Sequence, residues 1–346
     1  MSAESCEWLN GGNILVGYSA ERGAPWWYDQ ELDGKNPESV LYAGAIPAGD
    51  IQRRLFSWEP VEGTSETTYA DPVTGERVHL VIPDAKQIIR PDTRTVFRQF
   101  SDGYRIHGYN EWLVENLADI LRADGLGAAS AGLLEGGAIA WVQVQFPGSL
   151  ETEGIEHRPF ILATTSLNGK SATHFVGGTQ LVVCDNTRAV ALAEKDRVSF
   201  TRKHTSGSLG EEAKDKARKA LELIHATAEE FEHEIRTLVA ISVSDQAWDG
   251  YLDLSLGERP ADGRARTFYD RKREALGDLY FTDKRVAPYK GTGWGVIQAV
   301  NTYDQHEGIV RGMSREERNY RKMVTPGYFE KLDGETLAQL NLVLAA

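Results

Sequence analysis

Residues 160–183 read FILATTSLNGKSATHFVGGTQLVV, and this stretch decides the fold. Asn168-Gly169 lies between two runs of strand-forming residues, 160–166 and 171–176. Both turn residues tolerate positive φ, so the pair is a strong hairpin signal. Working outward, Gly177-Gly178 separates the hairpin from a further strand at 179–183. Cys184-Asp185-Asn186-Thr187 follows, where Asp185 or Asn186 is placed to cap a helix running through Ala193. Upstream, Gly136-Gly137 leads into a strand over 138–146, which Pro147-Gly148 stops. Before it, Trp112, Leu113, Leu117, Ile120 and Leu121 recur at helical spacing. They predict a helix over 111–124, capped by Asn110 and ended by Gly125, with a strand over 96–100 ahead of it.

Downstream of the Ser206-Gly207-Ser208 turn, Leu221, Ile224, Ala228, Phe231, Ile235 and Leu238 form the stripe of a long amphipathic helix. After Asp262-Gly263 come helical segments at 264–285, 294–306 and 314–323. The first 84 residues are rich in turn signals, with short strands expected at 14–18, 51–58 and 76–82 and a polar hairpin loop at 64–74. Pro83 and Pro91 suggest a boundary. The pattern predicts an α+β protein: an antiparallel sheet with a three-strand-then-helix core packed by helices, and a helical C-terminal section. It divides the chain into a loop-rich β region at 1–84, a central α+β core domain at 85–245 and a helical region at 246–346.

Composition narrows the class. With 346 residues, 41% hydrophobic and 26% charged, and 34 scattered glycines, the chain is neither disordered nor collagen-like nor a disulfide mini-protein. Its net charge of −13 argues at first against nucleic acid. The acidity is unevenly shared, however: residues 1–150 carry 11 Lys/Arg against 21 Asp/Glu, and residues 151–346 carry 27 against 30. Three stretches, 195–219, 264–290 and 311–322, are locally basic. The two cysteines, Cys6 and Cys184, form no framework and fit a reducing cytosol. No charged start precedes an apolar run, and no apolar run is long enough to span a bilayer. A soluble cytoplasmic protein with no membrane partner is expected.

Several groups of residues could carry chemistry. His225, Glu229 and His233 fall at i, i+4 and i+8 on the long helix and could ligate a divalent ion, although the same pattern suits a solvated face crowded with glutamates. Cys184, just before a helix start, could be an activated thiol with His174 or His204 as base; it also fits as a small buried hydrophobe ending Leu181-Val182-Val183. No Gly-x-Ser-x-Gly, His-x-Glu or Walker-type loop occurs, and no cofactor is expected. Asn186, Thr187 and Arg188 combine helix-start N–H groups with a guanidinium, which suits an anion as well as plain capping. Arg202, Lys203 and His204 stand on a connection near Phe200, with Lys214, Lys216, Arg218 and Lys219 on the helix beyond the Gly/Ser turn. Basic residues around a flexible turn can follow a phosphate backbone, and they also make i,i+4 pairs such as Glu212–Lys216. In the last section Arg271, Lys272, Arg273, Lys284 and Arg285 interleave with Phe268, Tyr269, Tyr280 and Phe281, a pattern shared by single-strand binders and ordinary packed helices. Trp26, Trp27 and Trp294 either stack on a ligand or fill the core.

Five blocks carry a family resemblance. Pro25-Trp26-Trp27 resembles a Pro-Trp-His segment, with Trp in place of His, and Leu162-Ala163-Thr164-Thr165-Ser166-Leu167-Asn168-Gly169 resembles a strand ending in a Ser-His-Asp-Gly-like turn, again without the His. Val182-Val183-Cys184-Asp185-Asn186-Thr187, then Arg202-Lys203-His204-Thr205, then Thr292-Gly293-Trp294-Gly295 with Ala299, Val300, Tyr303 and His306, follow in order. They resemble the phage/plasmid-like protein family built around domain of unknown function 932, which carries no established reaction. If the missing histidines are catalytic in the family, this chain is inactive; if they pack, nothing is lost. Three strands followed by a helix are also similar in order to the core of the ring-forming single-strand annealing proteins of phages, an analogy at the level of fold alone. The resulting expectation is a non-catalytic, homo-oligomeric protein of phage/plasmid-type DNA metabolism that binds single-stranded DNA and promotes annealing. Arg188, Arg202, Lys203 and Lys214 would contact phosphate, and Asn186, Thr187, His204 and Arg218 would complete the surface. The alternatives are a metal-dependent hydrolase using His225, Glu229 and His233, or an acidic interaction protein that binds a host or phage protein.

Overall fold

The computed structural model describes residues 9–25, 28–122, 126–146, 148–169, 173–181, 187–188, 199–202, 212–313, 315, 318–319, 322 and 328–346. The hairpin at the centre of the sequence is the centre of the structure. β8 (Ile155–Ser166) and β9 (Thr173–Leu181) pair antiparallel, from His157↔Leu181 to Thr164↔His174. Gly169 between them has φ 66°, and a side chain there would press on Phe100. β9 does not stop at Gly177-Gly178; those residues pair with Ile161 and Phe160, so the two expected strands are one.

Around this hairpin, β1 (Ile14–Val16), β5 (Gly127–Leu134) and β6 (Ile139–Gln145) extend the sheet on one side. β10 (Thr187–Arg188) and β11 (Ser199–Arg202) extend it on the other, and β7 (Leu150–Thr152) pairs with β8. All pairings are antiparallel and the main order is β1-β5-β6-β8-β9-β10, with β11 also on β9. Both faces are buried, which explains why β6 and β8 read as nearly continuous apolar runs. One face carries Ala131, Ala140, Val142, Ile161, Ala163 and Phe175; against it pack α3 (Ala48–Arg54), α4 (Tyr109–Asn116) and α5 (Ala118–Arg122) through Ile51, Trp112, Leu113 and Ile120. The other gathers Ile14, Val16, Leu134, Ile139, Trp141, Phe160 and Leu162. Trp141 lies across its partner Gly132, where any Cβ would overlap the indole.

A second sheet, β2 (Val61–Ala70), β3 (Arg77–Arg90) and β4 (Thr95–Ser101), is bound to the first through Arg90 and Arg98. Arg90 clasps Asp92 with Nε and Nη2 at 2.8 and 2.9 Å, donates from Nη1 to Gly136 O at 3.0 Å, and stacks 4.6 Å from the Trp58 ring. Arg98 donates to Asn168 O on the central turn.

This part departs most from expectation. In place of the strand expected over 51–58, residues 48–54 form α3: Pro47 starts it, Asp50 and Arg53–Arg54 match the helix dipole, and Ile51 and Leu55 meet the core one turn apart. The polar stretch expected as a loop at 64–74 is largely strand β2, whose Thr and Tyr residues suit an extended chain without needing a buried face. The turn lies at 71–76, where Asp71 accepts from the N–H groups of Val73 and Thr74 at 2.7 and 2.9 Å. β3 runs through Pro83 and across the 84/85 division. The proline fits because the register jumps there, from Val81↔Glu66 to Lys86↔Thr64, and a bulged residue needs no ladder N–H. The helix expected over 111–124 begins at Tyr109 behind Gly108 and breaks at Leu117. Asn110 is no cap; its amide donates to Phe56 O at 2.5 Å.

The long amphipathic helix is α6 (Glu212–Val239), with Ile224, Ala228, Phe231, Ile235 and Leu238 buried as its spacing predicts. Phe231, Ile235 and Leu238 pack on Trp294 and Ile297 of α9 (Gly293–Thr302), which ties the sheet to the C-terminal helices. There α7 (Asp245–Leu256), α8 (Gly263–Phe281), α9 and α10 (Tyr328–Leu344) enclose a separate core built on Trp248, Tyr251, Leu276, Tyr280 and Leu340. The architecture is α+β, with antiparallel sheets and helices concentrated after residue 211. Among the described residues no helix is long and apolar enough to cross a membrane.

Candidate functional site

The outer edge of β9 collects Thr187–Arg188 and the strand part of the first basic stretch, Ser199–Arg202. Thr187 and Arg188 pair with Gln180 and Thr179, and Ser199 to Arg202 pair with Val176 to Thr173. Thr187 and Arg188 are therefore strand rather than the first turn of a helix, and Arg202 ends a strand rather than standing on a connection. The open edge of β9 supplies the N–H and C=O partners that a helix start would have left to a cap. Arg188 and Arg202 stand six ladder positions apart, about 20 Å along one edge. Lys214 and Arg218 lie on the first turns of α6, which packs on β8 and β9. Asn186, Lys203, His204 and Cys184 lie outside the described residues, as do Trp26 and Trp27. His174 lies on β9, paired with Thr164 and Thr201.

A second polar group, which the sequence reading missed, lies on the face carrying Trp141 and Phe160. Gln145 pairs with Phe160, and Arg158 comes two residues earlier on the same strand, so both point to that face. Over them sits α1 (Ser19–Arg22), which turns sharply out of β1 through Tyr18 at φ 56°. Its Arg22 donates to the Gln145 side chain, and its Glu21 accepts from Arg158 at 3.2 Å. The Arg22 guanidinium lies 5.6 Å from the Tyr18 ring, whose hydroxyl pKa burial pushes up. The ladder continues from Arg158 through Gln180 to Thr187, linking this group to the edge. The available signal was an arginine inside an otherwise buried strand, since a buried charge requires partners.

The other candidates resolve differently. His225, Glu229 and His233 lie on the exposed side of α6, with the His225 ring 5.5 Å from Phe146. Among the described residues no group of three or more His, Cys, Asp or Glu could hold a metal ion. In the second basic stretch, Arg273 pairs with Asp253 and Asp249 at 2.6 and 3.3 Å, Arg285 with Asp283, and Lys290 with Asp245. Tyr280 is buried, stacked 4.1 Å and 8° from Trp248, and Trp294 is fully buried. Of the interleaved aromatics Tyr280 serves packing, while Phe268 and Phe281 are exposed. Arg264, Arg271 and Lys284 remain exposed on or just beyond α8.

His157, between β8 and α6, is fully buried, with its ring 5.0 Å from Phe231 and no hydrogen-bond partner for Nε2 among the described residues. Burial holds its pKa below the ordinary 6.5, outweighing the opposing effects of the Ile155 carbonyl and Glu232. The unfolded chain therefore binds the extra proton. Stability is complete above pH 6.5 and falls as the pH drops from there towards the folded pKa, by up to about 1.4 kcal/mol per pH unit. Urea melts of His157→Leu between pH 7.5 and 5 should lose this slope; an unchanged slope would show that another group carries it.

A family model described as "Domain of unknown function (DUF932)" matches residues 96–324. That span runs from β4 through the central sheet from β5 onward and α6 into the C-terminal helices, and leaves out β1, α1, α3 and most of the second sheet. No curated protein and no solved structure matches the chain.

Proposed function

The chain belongs to the DUF932 family, and from that premise we propose that it is a non-catalytic binder of single-stranded nucleic acid that works in phage/plasmid-type DNA metabolism in the cytoplasm. The observation that carries this reading is the gathering of Arg188 and Arg202 on one outer sheet edge, with Lys214 and Arg218 at the start of the adjoining helix. Cations spread over about 20 Å match several consecutive phosphates of an extended strand better than one small ligand. The second sheet supports an orientation. Glu62 and Glu66 of its exposed strand β2 pair with Lys86 and His79 of β3, while Asp71 and Glu76 follow in the turn, which would face away from a polyanion. Copies of the chain assembled side by side would hold a strand continuously and present it for annealing.

A gel mobility-shift titration at low salt tests the reading. A labelled single-stranded oligonucleotide should shift at lower protein concentration than the same sequence as duplex. Equal or tighter binding of duplex would refute a single-strand binder, and the absence of any shift would refute binding altogether.

A further inference from the structure

The group on the second sheet face has donors that the protein does not use. The Arg158 side chain is 6% exposed, and its one ion pair among the described residues is the 3.2 Å contact with Glu21, itself 52% exposed. Among the described residues its Nε is buried without an acceptor, as is Nε2 of the fully buried Gln145. The two residues are diagonal neighbours on adjacent strands, about 7–8 Å apart, and Arg22 reaches the same glutamine from above. A buried guanidinium whose acceptors are incomplete is costly, and an anionic ligand removes that cost.

We propose that Arg22, Gln145 and Arg158 form a binding site for a phosphate group. The donors belong to a helix, to β6 and to β8, and donors set on three elements suit a tetrahedral oxyanion better than a planar carboxylate. The site does not depend on strand binding at the sheet edge. The ladder from Arg158 to Thr187 spans two strand spacings, about 10 Å, so the phosphate can belong to a bound strand or to a free phosphate ligand.

The test is thermal melting of the full chain against inorganic phosphate, with chloride keeping ionic strength constant. Wild type should show a saturable rise in Tm, and Gln145→Leu and Arg158→Lys should weaken the apparent affinity at least tenfold. In a second arm, a single-stranded oligonucleotide that competes with phosphate assigns the group to a strand. One that leaves the phosphate response intact assigns it to a free ligand, and both results support the site. No saturable rise in wild type, or a rise unchanged in both variants, would overturn it. If the variants fail to fold, the Arg158 Nε–H resonance of the wild type decides: it should move on adding phosphate, and a stationary resonance overturns the assignment.

Discussion

Replacing Arg188 and Arg202 together by alanine should lower affinity for a single-stranded oligonucleotide by roughly 100-fold at low salt. Each guanidinium contributes charge-assisted hydrogen bonds of about 1.5–3 kcal/mol to a phosphate, so losing two of them dominates the binding of one protomer. Each phosphate contact also releases counterions, so the slope of log K against log salt should become shallower by about 1.4. The two arginines occupy the ends of one ladder edge, and removing both strips the edge of its described cations. Arg264→Ala with Arg271→Ala is the control, since these are exposed cations on α8, away from that edge. Fluorescence anisotropy reads both quantities. An edge variant that binds like wild type with the same slope would move the surface elsewhere.

The largest stability effect is expected at Trp248. Its side chain is fully buried and stacks on Tyr280 at 4.1 Å with an 8° tilt, with Tyr251 at 5.7 Å on its other side. Trp248→Ala deletes the centre of the core held by α7, α8, α9 and α10, and should cost about 3–5 kcal/mol because the surrounding rings only partly collapse into the space. Because this cluster is separate from the sheet core, the loss should appear first in near-ultraviolet circular dichroism of the C-terminal aromatics during urea unfolding. A loss under about 1 kcal/mol would mean that the stack is not what closes the C-terminal helices.

The elements legible in the sequence were those whose signal is local. Gly169, at φ 66°, marks the turn between β8 and β9 that the Asn-Gly pair signals, and the stripe from Ile224 to Leu238 can bury itself only as a helix. The failures share a cause: local pattern was outvoted by distant partners. Strand β2 is polar on both faces because it lies at the rim of a small exposed sheet, so hydropathy could not separate it from a loop. In place of the strand expected over 51–58, Ile51 is drawn into the main core as one turn of the helix 48–54. The edge arginines were identified, but their strand setting was not, because the strand at Thr187 and Arg188 exists only through pairing with β9. The Arg22–Gln145–Arg158 group was invisible for the same reason: three residues far apart in sequence meet only once β1, β6 and β8 share a sheet.

The central claim is electrostatic binding of a single strand along the β9 edge, and the salt dependence of wild-type affinity tests it most directly. With Arg188, Arg202, Lys214 and Arg218 each displacing a counterion, log K against log salt should fall linearly with a slope of about −3 for a single-stranded oligonucleotide. A slope near zero, or no measurable affinity at low ionic strength, would contradict the account.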